Sequence, residues 1–227
     1  MSLKPPKKSD VGKRWMNPRK SKEILIQPEY HLIVTEGTDT EPQYFDAIKQ
    51  IINKNFRDKI QLEIHGEGDN TLGLLDRAQK IVERKSREAS IIFKHVWIVF
   101  DTDDFPPDHI NRTVEKCLSM TNEETEYHAL WSNQCVELWF MLHFNYIDAD
   151  LHRSEYFPKL TEWMSNIGCG KYEKNRKDMF DILMPYLDNA IDNAKKLNAI
   201  NKNKTPANSS PGTQVYKLLE LLKPYLK

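Results

Sequence analysis

Five acidic side chains follow closely on apolar stretches of the chain: Glu36 and Glu41, Asp101 and Asp103, and Glu137. Residues 96–104 read Val-Trp-Ile-Val-Phe-Asp-Thr-Asp-Asp, an unbroken apolar run that ends in three carboxylates within four positions. Asp101 and Asp103 stand two apart, so a strand extended through both points their side chains the same way. Carboxylates that close repel and raise each other's pKa unless a cation lies between them. An all-oxygen ligand set favours a hard cation, Mg²⁺ or Mn²⁺, over zinc. Such an ion suits phosphoryl chemistry, in which it polarises the phosphate and activates water. Plainer readings stand beside this one. The aspartates also fit a solvated strand end before the turn at Pro106-Pro107, and Glu137 also fits an acid at the positive end of its own helix dipole.

These acids can meet only if strands gather them. Short runs rich in β-branched and aromatic residues predict strands at 30–35, 60–65, 96–104 and 126–131. Helical spacing predicts helices from Thr40 through Ile52 and at 72–87, 108–120, 135–144, 155–166, 177–198 and 213–226. Strands alternating with helices call for a parallel sheet with right-handed crossovers. Its neighbouring strands lie about 5 Å apart, and ligands sit beyond their carboxyl ends. Thr40 is expected to cap the first helix, with Glu41 and Pro42 in its first turn. Gly37 lets the backbone turn sharply beside Glu36. The loop 66–71 lacks the Gly-Lys-Ser/Thr ending of a phosphate loop and reads as an ordinary strand-to-helix turn. Lys171, between glycines 168 and 170 and Tyr172, is a candidate phosphate contact.

With 227 residues the chain holds one domain with an extension. We expect a basic arm at 1–27, a metal-binding core at 28–146 and helices at 147–227 packed on that core. Thirty-three basic residues balance thirty-three acids, so net charge does not favour an anionic partner. The distribution says more: eight of the first 22 residues are Lys or Arg. Among them Lys13, Arg14, Arg19 and Lys20 are candidate contacts to a nucleic-acid backbone, although such arms are often merely solvated termini. No apolar signal region and no membrane-length apolar run is present, so no membrane partner is expected. Three isolated cysteines, without a Cys-x-x-Cys pair, fit a reducing cytoplasm. Seven scattered histidines, without metal-binding spacing, read as structural.

Glu36-Gly37 after the first strand and Asp101-Thr102-Asp103 after the third resemble the Toprim fold of topoisomerases, primases and related nucleases. The likeness narrows to the RloB family over three blocks: Glu36 to Phe45, Asp101 to Asp103, and Ser132-Asn133-Gln134-Cys135-Val136-Glu137-Leu138-Trp139-Phe140-Met141-Leu142-His143-Phe144. A weaker fourth block runs from Asn208 to Val215. Gln134 stands where members often have proline, and Ser209-Ser210 splits the Asn-Pro of the last block, which sets Asn208 aside as a site residue. The resemblance spans about residues 30 to 222. It implies a Toprim-like, Rossmannoid three-layer α/β sandwich around a mainly parallel four-stranded sheet. It also implies a metal-dependent nuclease of bacterial anti-phage defence, cutting RNA (transfer RNA included) or DNA, with an ABC- or AAA-type ATPase as partner; self-association is left open. Glu36, Asp101 and Asp103 are then expected to hold Mg²⁺ or Mn²⁺. Glu41 is expected as a ligand or base, and Glu137 with Glu41 at a second ion. Two rivals remain: a silent binding or sensor subunit that keeps the fold, and a haloacid-dehalogenase-type phosphatase. The latter carries its Asp-x-Asp after the first strand and leaves Glu36-Gly37 unexplained.

Overall fold

The computed structural model describes residues 27–102 and 105–227; Lys13, Arg14, Arg19, Lys20 and Asp103 lie outside the described residues. Four strands form, β1 (Glu29–Thr35), β2 (Ile60–Gly66), β3 (Phe93–Asp101) and β4 (Glu126–Ser132). All are parallel, in the order β2-β1-β3-β4. Successive strands are joined by α1 (Thr40–Asn55), α2 (Thr71–Ala89) and α3 (Pro107–Met120). Because side chains alternate along a strand, each strand feeds two cores. Leu32, Val34, Val96, Ile98 and Phe100 pack with Leu74, Leu75 and Ala78 of α2 and Ile110 and Cys117 of α3. Ile33, Trp97, Val99 and Leu130 face the other way, onto Tyr44, Phe45 and Ile48 of α1 and onto the C-terminal helices. The result is the expected Rossmann-like three-layer α/β sandwich.

The C-terminal helices are α4 (Glu137–Phe144), α5 (Tyr156–Asn166), α6 (Met179–Leu183), α7 (Leu187–Ile200) and α8 (Tyr216–Leu222). Helix α4 is apolar all round and is buried between the sheet and α7, where the Asn193 amide donates to the Leu142 carbonyl at 2.9 Å. Residues 212–214 lie antiparallel along the outer edge of β4. Asn133 N–H donates to the Gly212 carbonyl at 2.8 Å and Gln214 N–H to the Trp131 carbonyl at 2.9 Å. That segment occupies hydrogen-bonding positions that a bare edge would offer to other chains. No helix among the described residues is long and apolar enough to cross a membrane.

Several boundaries differ from the sequence expectation. The predicted helix 177–198 is two helices with a 3-10 turn, Met184–Tyr186, between them, because Pro185 lacks an N–H for the helical ladder. Pro224 likewise ends α8 in a 3-10 turn, Lys223–Tyr225, so the predicted 213–226 helix is shorter. The fourth predicted helix starts at Glu137, not residue 135. Thr40 does not cap α1: it is the first helical residue, and its hydroxyl donates to the Lys174 carbonyl at 2.8 Å. Strand β3 spans Phe93–Asp101.

Candidate functional site

Chain direction creates the site. From β1 the chain turns into α1 on one face of the sheet, and from β3 it turns toward α3 on the other. Since β1 and β3 are neighbours, their carboxyl ends part and leave a crevice, the usual ligand position in open α/β sheets. Glu36, one residue past β1, donates its N–H to the Val99 carbonyl at 2.9 Å. Its Oε2 accepts the Asp101 N–H at 3.1 Å, which ties the two strand ends together. Glu41, in the first turn of α1, folds back over Gly37, where the backbone N–H groups of Gly37 and of Glu41 itself favour its charged form. A Cβ at Gly37 would stand 2.1 Å from Glu41 Oε2, so glycine is what makes this seat. Glu137, in the first turn of α4, is 2% exposed and accepts the Tyr172 hydroxyl at 2.8 Å, and its charge acts on the Cys135 thiol. The turn after β4 supports the turn after β3, because Thr102 N–H donates to the carbonyls of Ser132 (3.1 Å) and Gln134 (3.0 Å).

The electrostatics follow from that crowding. Burial, then the charges of Glu41, Glu137 and Glu36, raise the Asp101 carboxyl well above its ordinary range. Burial, then Glu137, raise Glu41, against the pull of its backbone N–H partners and of Lys174. The Tyr172 hydroxyl and the Cys135 thiol are pushed up by burial first and by Glu137 next, so both stay protonated, and the hydroxyl donates to Glu137. A cavity of about 610 Å³ opens above these acids, walled by Glu36, Glu41, Asp101, Asp69, Lys174 and Asn175 among others. Oxygen-only donors that repel one another suit a hard divalent cation. Among the described residues, the triads whose ligand atoms all fall within 4.8 Å of one another lie elsewhere, at the opposite end of the sheet.

Three expected residues, Glu36, Glu41 and Asp101, therefore line one cleft, and Glu137 lies close enough to act on the charges of Asp101 and Glu41. Lys171 is exposed and does not line the cleft; its carbonyl accepts from Arg176 at 2.9 Å. The cation on the cleft wall is Lys174, three residues on, whose ammonium sits 5.4 Å over the Phe157 ring. Sequence reasoning missed Lys174, Asn175, Asp69 and Tyr172. Asp69 belongs to the loop read as an ordinary turn. Asn70 of that loop does cap α2, accepting from Gly73 N–H at 2.9 Å, but β2 pairs with β1, so the same loop walls the cleft. Asn208 is exposed and bonded to the Thr205 hydroxyl at 2.9 Å, away from the acids' hydrogen bonds.

No curated protein and no solved structure matches the chain. A family profile described as RloB-like protein matches residues 31–222, from β1 to the end of α8. With that span covered, and with the Glu-Gly turn, the Asp101 strand end and the Ser-Asn-Gln-Cys-Val-Glu turn packed around one cleft, the chain belongs to the RloB-like family.

Proposed function

We propose that the chain is a Toprim-like nuclease of bacterial anti-phage defence, a Mg²⁺- or Mn²⁺-dependent phosphodiester hydrolase with RNA, including transfer RNA, as its substrate. One observation supports this above the rest: Glu36 and Asp101, 65 residues apart, are tied at 3.1 Å in the crevice between β1 and β3, with Glu41 on the same cleft. An acid-lined cleft repels a phosphodiester, so such a substrate enters only with a cation between. Glu36 and Asp101, with Asp103 two positions on in the sequence, would hold the ion, and Glu41 with Glu137 a second. Bound there, the ion would polarise the phosphate and favour deprotonation of water. Glu41, raised above the ordinary carboxylate range, is suited to take the proton of the attacking water. Tyr172 holds Glu137 in place by a donated hydrogen bond. Lys174 offers positive charge to the scissile phosphate or the leaving oxygen. The basic arm would hold the nucleic-acid backbone without regard to sequence, and an ABC- or AAA-type ATPase would gate the activity.

The test is direct. The purified full chain is incubated with labelled transfer RNA, unstructured RNA and DNA in Mg²⁺ or Mn²⁺. Cleavage that a chelator abolishes and that Asp101→Asn lowers at least a hundredfold is expected. Equal cleavage by Asp101→Asn, or none by the wild type with or without the ATPase, overturns the reading; the second result favours the silent sensor subunit.

A further inference from the structure

The third residue of β1, of β3 and of β4 is in each case a histidine: His31, His95 and His128. Parallel pairing sets His31 beside His95, His95 beside Glu126 and His128 beside Trp97, near the N-terminal ends of the strands. Six residues of β3 separate His95 from Asp101, about 20 Å at the rise of a strand, so this place is distinct from the acidic cleft. His95 Nδ1 lies 3.0 Å from His128 Nε2, and Glu126 Oε2 lies 3.7 Å from each of those nitrogens. A triangle with those edges has its circumcentre about 2.0 Å from every corner, the bond length of zinc to imidazole nitrogen or carboxylate oxygen.

The surroundings prepare the ligands. The Trp97 indole can only donate, so His31 Nδ1 accepts it at 3.3 Å and His31 Nε2–H donates to Glu29 Oε1 at 2.8 Å. The same Glu29 oxygen lies 3.7 Å from His95 Nε2. It favours the proton on that nitrogen and leaves the Nδ1 lone pair turned toward His128, the role carboxylates play behind metal-bound histidines. Trp97 stacks on the His128 ring at 4.0 Å and 17°, fixing its plane. Burial first, with the neighbouring histidines next for His128, keeps both rings neutral; Glu126 opposes this at each ring and Glu29 at His95. The His128 side chain is 26% exposed and that of Glu126 41%, so a fourth ligand position opens to water.

We propose that His95, His128 and Glu126 form a second metal site, for a borderline divalent transition ion of the zinc class, with Glu29 orienting His95. The ion would pin β4, the edge strand, to β3. The full chain, stripped with a chelator and then saturated with Mg²⁺ to fill the acidic cleft, is titrated with Zn²⁺ by calorimetry and with Co²⁺ by visible absorption. One equivalent of Zn²⁺ is expected to bind, and Co²⁺ to develop the intense d–d bands of a four-coordinate nitrogen and oxygen site. A hundredfold excess of Zn²⁺ over its Kd raises the melting midpoint by about 5–10 °C. His128→Gln and Glu126→Gln each weaken Zn²⁺ at least tenfold, whereas Asp101→Asn leaves it unchanged. Glu126 is exposed enough for its variant to fold. Failure of the wild type to bind Zn²⁺, undiminished binding in both variants, or loss of binding in Asp101→Asn overturns the proposal.

Discussion

Asp101 carries the strongest electrostatic load in the cleft, and its environment makes the consequences measurable. Its carboxyl is raised by burial and by three other acids, so the folded chain holds a proton that the unfolded chain releases near the ordinary carboxylate pKa. In the absence of divalent ions, stability therefore falls as pH rises from about 4 to the raised value. Asp101→Asn removes that repulsion. At pH 7 in chelator it melts measurably higher than the wild type, because the amide carries no charge for the neighbouring acids to repel. Added Mn²⁺ then raises the wild type and leaves the variant unmoved; a variant no more stable than wild type in chelator contradicts the crowding described for the cleft. Gly37 tests the same cleft sterically. The atom that a Cβ would strike is the mobile end of Glu41, so Gly37→Ala folds normally and displaces the carboxylate. Calorimetry should show Mg²⁺ affinity at least tenfold weaker, with the melting midpoint within a few degrees of wild type.

Helix α4 shows how an element serves the site and also sets a pH limit. Its first turn delivers Glu137 to the acids, and its body is buried so fully that the carboxylate cannot swing away. One residue from its end, His143 donates Nδ1–H to the Trp139 carbonyl at 2.9 Å, and burial holds its pKa at about 3. Here the unfolded chain binds the extra proton. The stabilisation is present above pH 6.5 and is lost progressively as pH falls toward 3. Between pH 6.5 and 5 this one group costs about 2 kcal/mol. His143→Leu should flatten urea stability measured between those two pH values by that amount; an unchanged pH slope would show that His143 does not carry it. The loop 168–178 makes the complementary point for irregular structure. It supplies Lys174 and Tyr172, although the glycines in its own sequence single out Lys171. The choice comes from the Thr40 hydroxyl bonding the Lys174 carbonyl and from Phe157 beneath the ammonium.

In the molecule as a whole, the core of the sheet and the core of the C-terminal helices are one apolar body. Ile33, Trp97 and Val99 share it with Phe180, Ala190, Leu218 and Leu219. Trp139, fully buried there, donates to the Tyr44 hydroxyl at 3.0 Å. A fragment of residues 28–146 would leave α4 and one face of the sheet bare, and such a surface drives association. We expect it to be unfolded or aggregated by circular dichroism and size exclusion, while residues 27–227 fold; a monomeric, cooperatively melting fragment would refute the single core. The same wholeness divides what was legible in the chain from what was not. Short apolar runs determined the strands and helical spacing the helices, because burial of both faces of a strand, or of one face of a helix, is written in the local pattern. The Glu36-Gly37 turn, the Asp101 strand end and the Glu137 helix start were readable for the same local reason. The meeting of Glu36 with Asp101 and the gathering of His31, His95 and His128 were decided only by strand order, and the choice of Lys174 over Lys171 by contacts with Thr40 and Phe157. Pairing between distant segments sets which residues become neighbours, and no spacing along the chain encodes it.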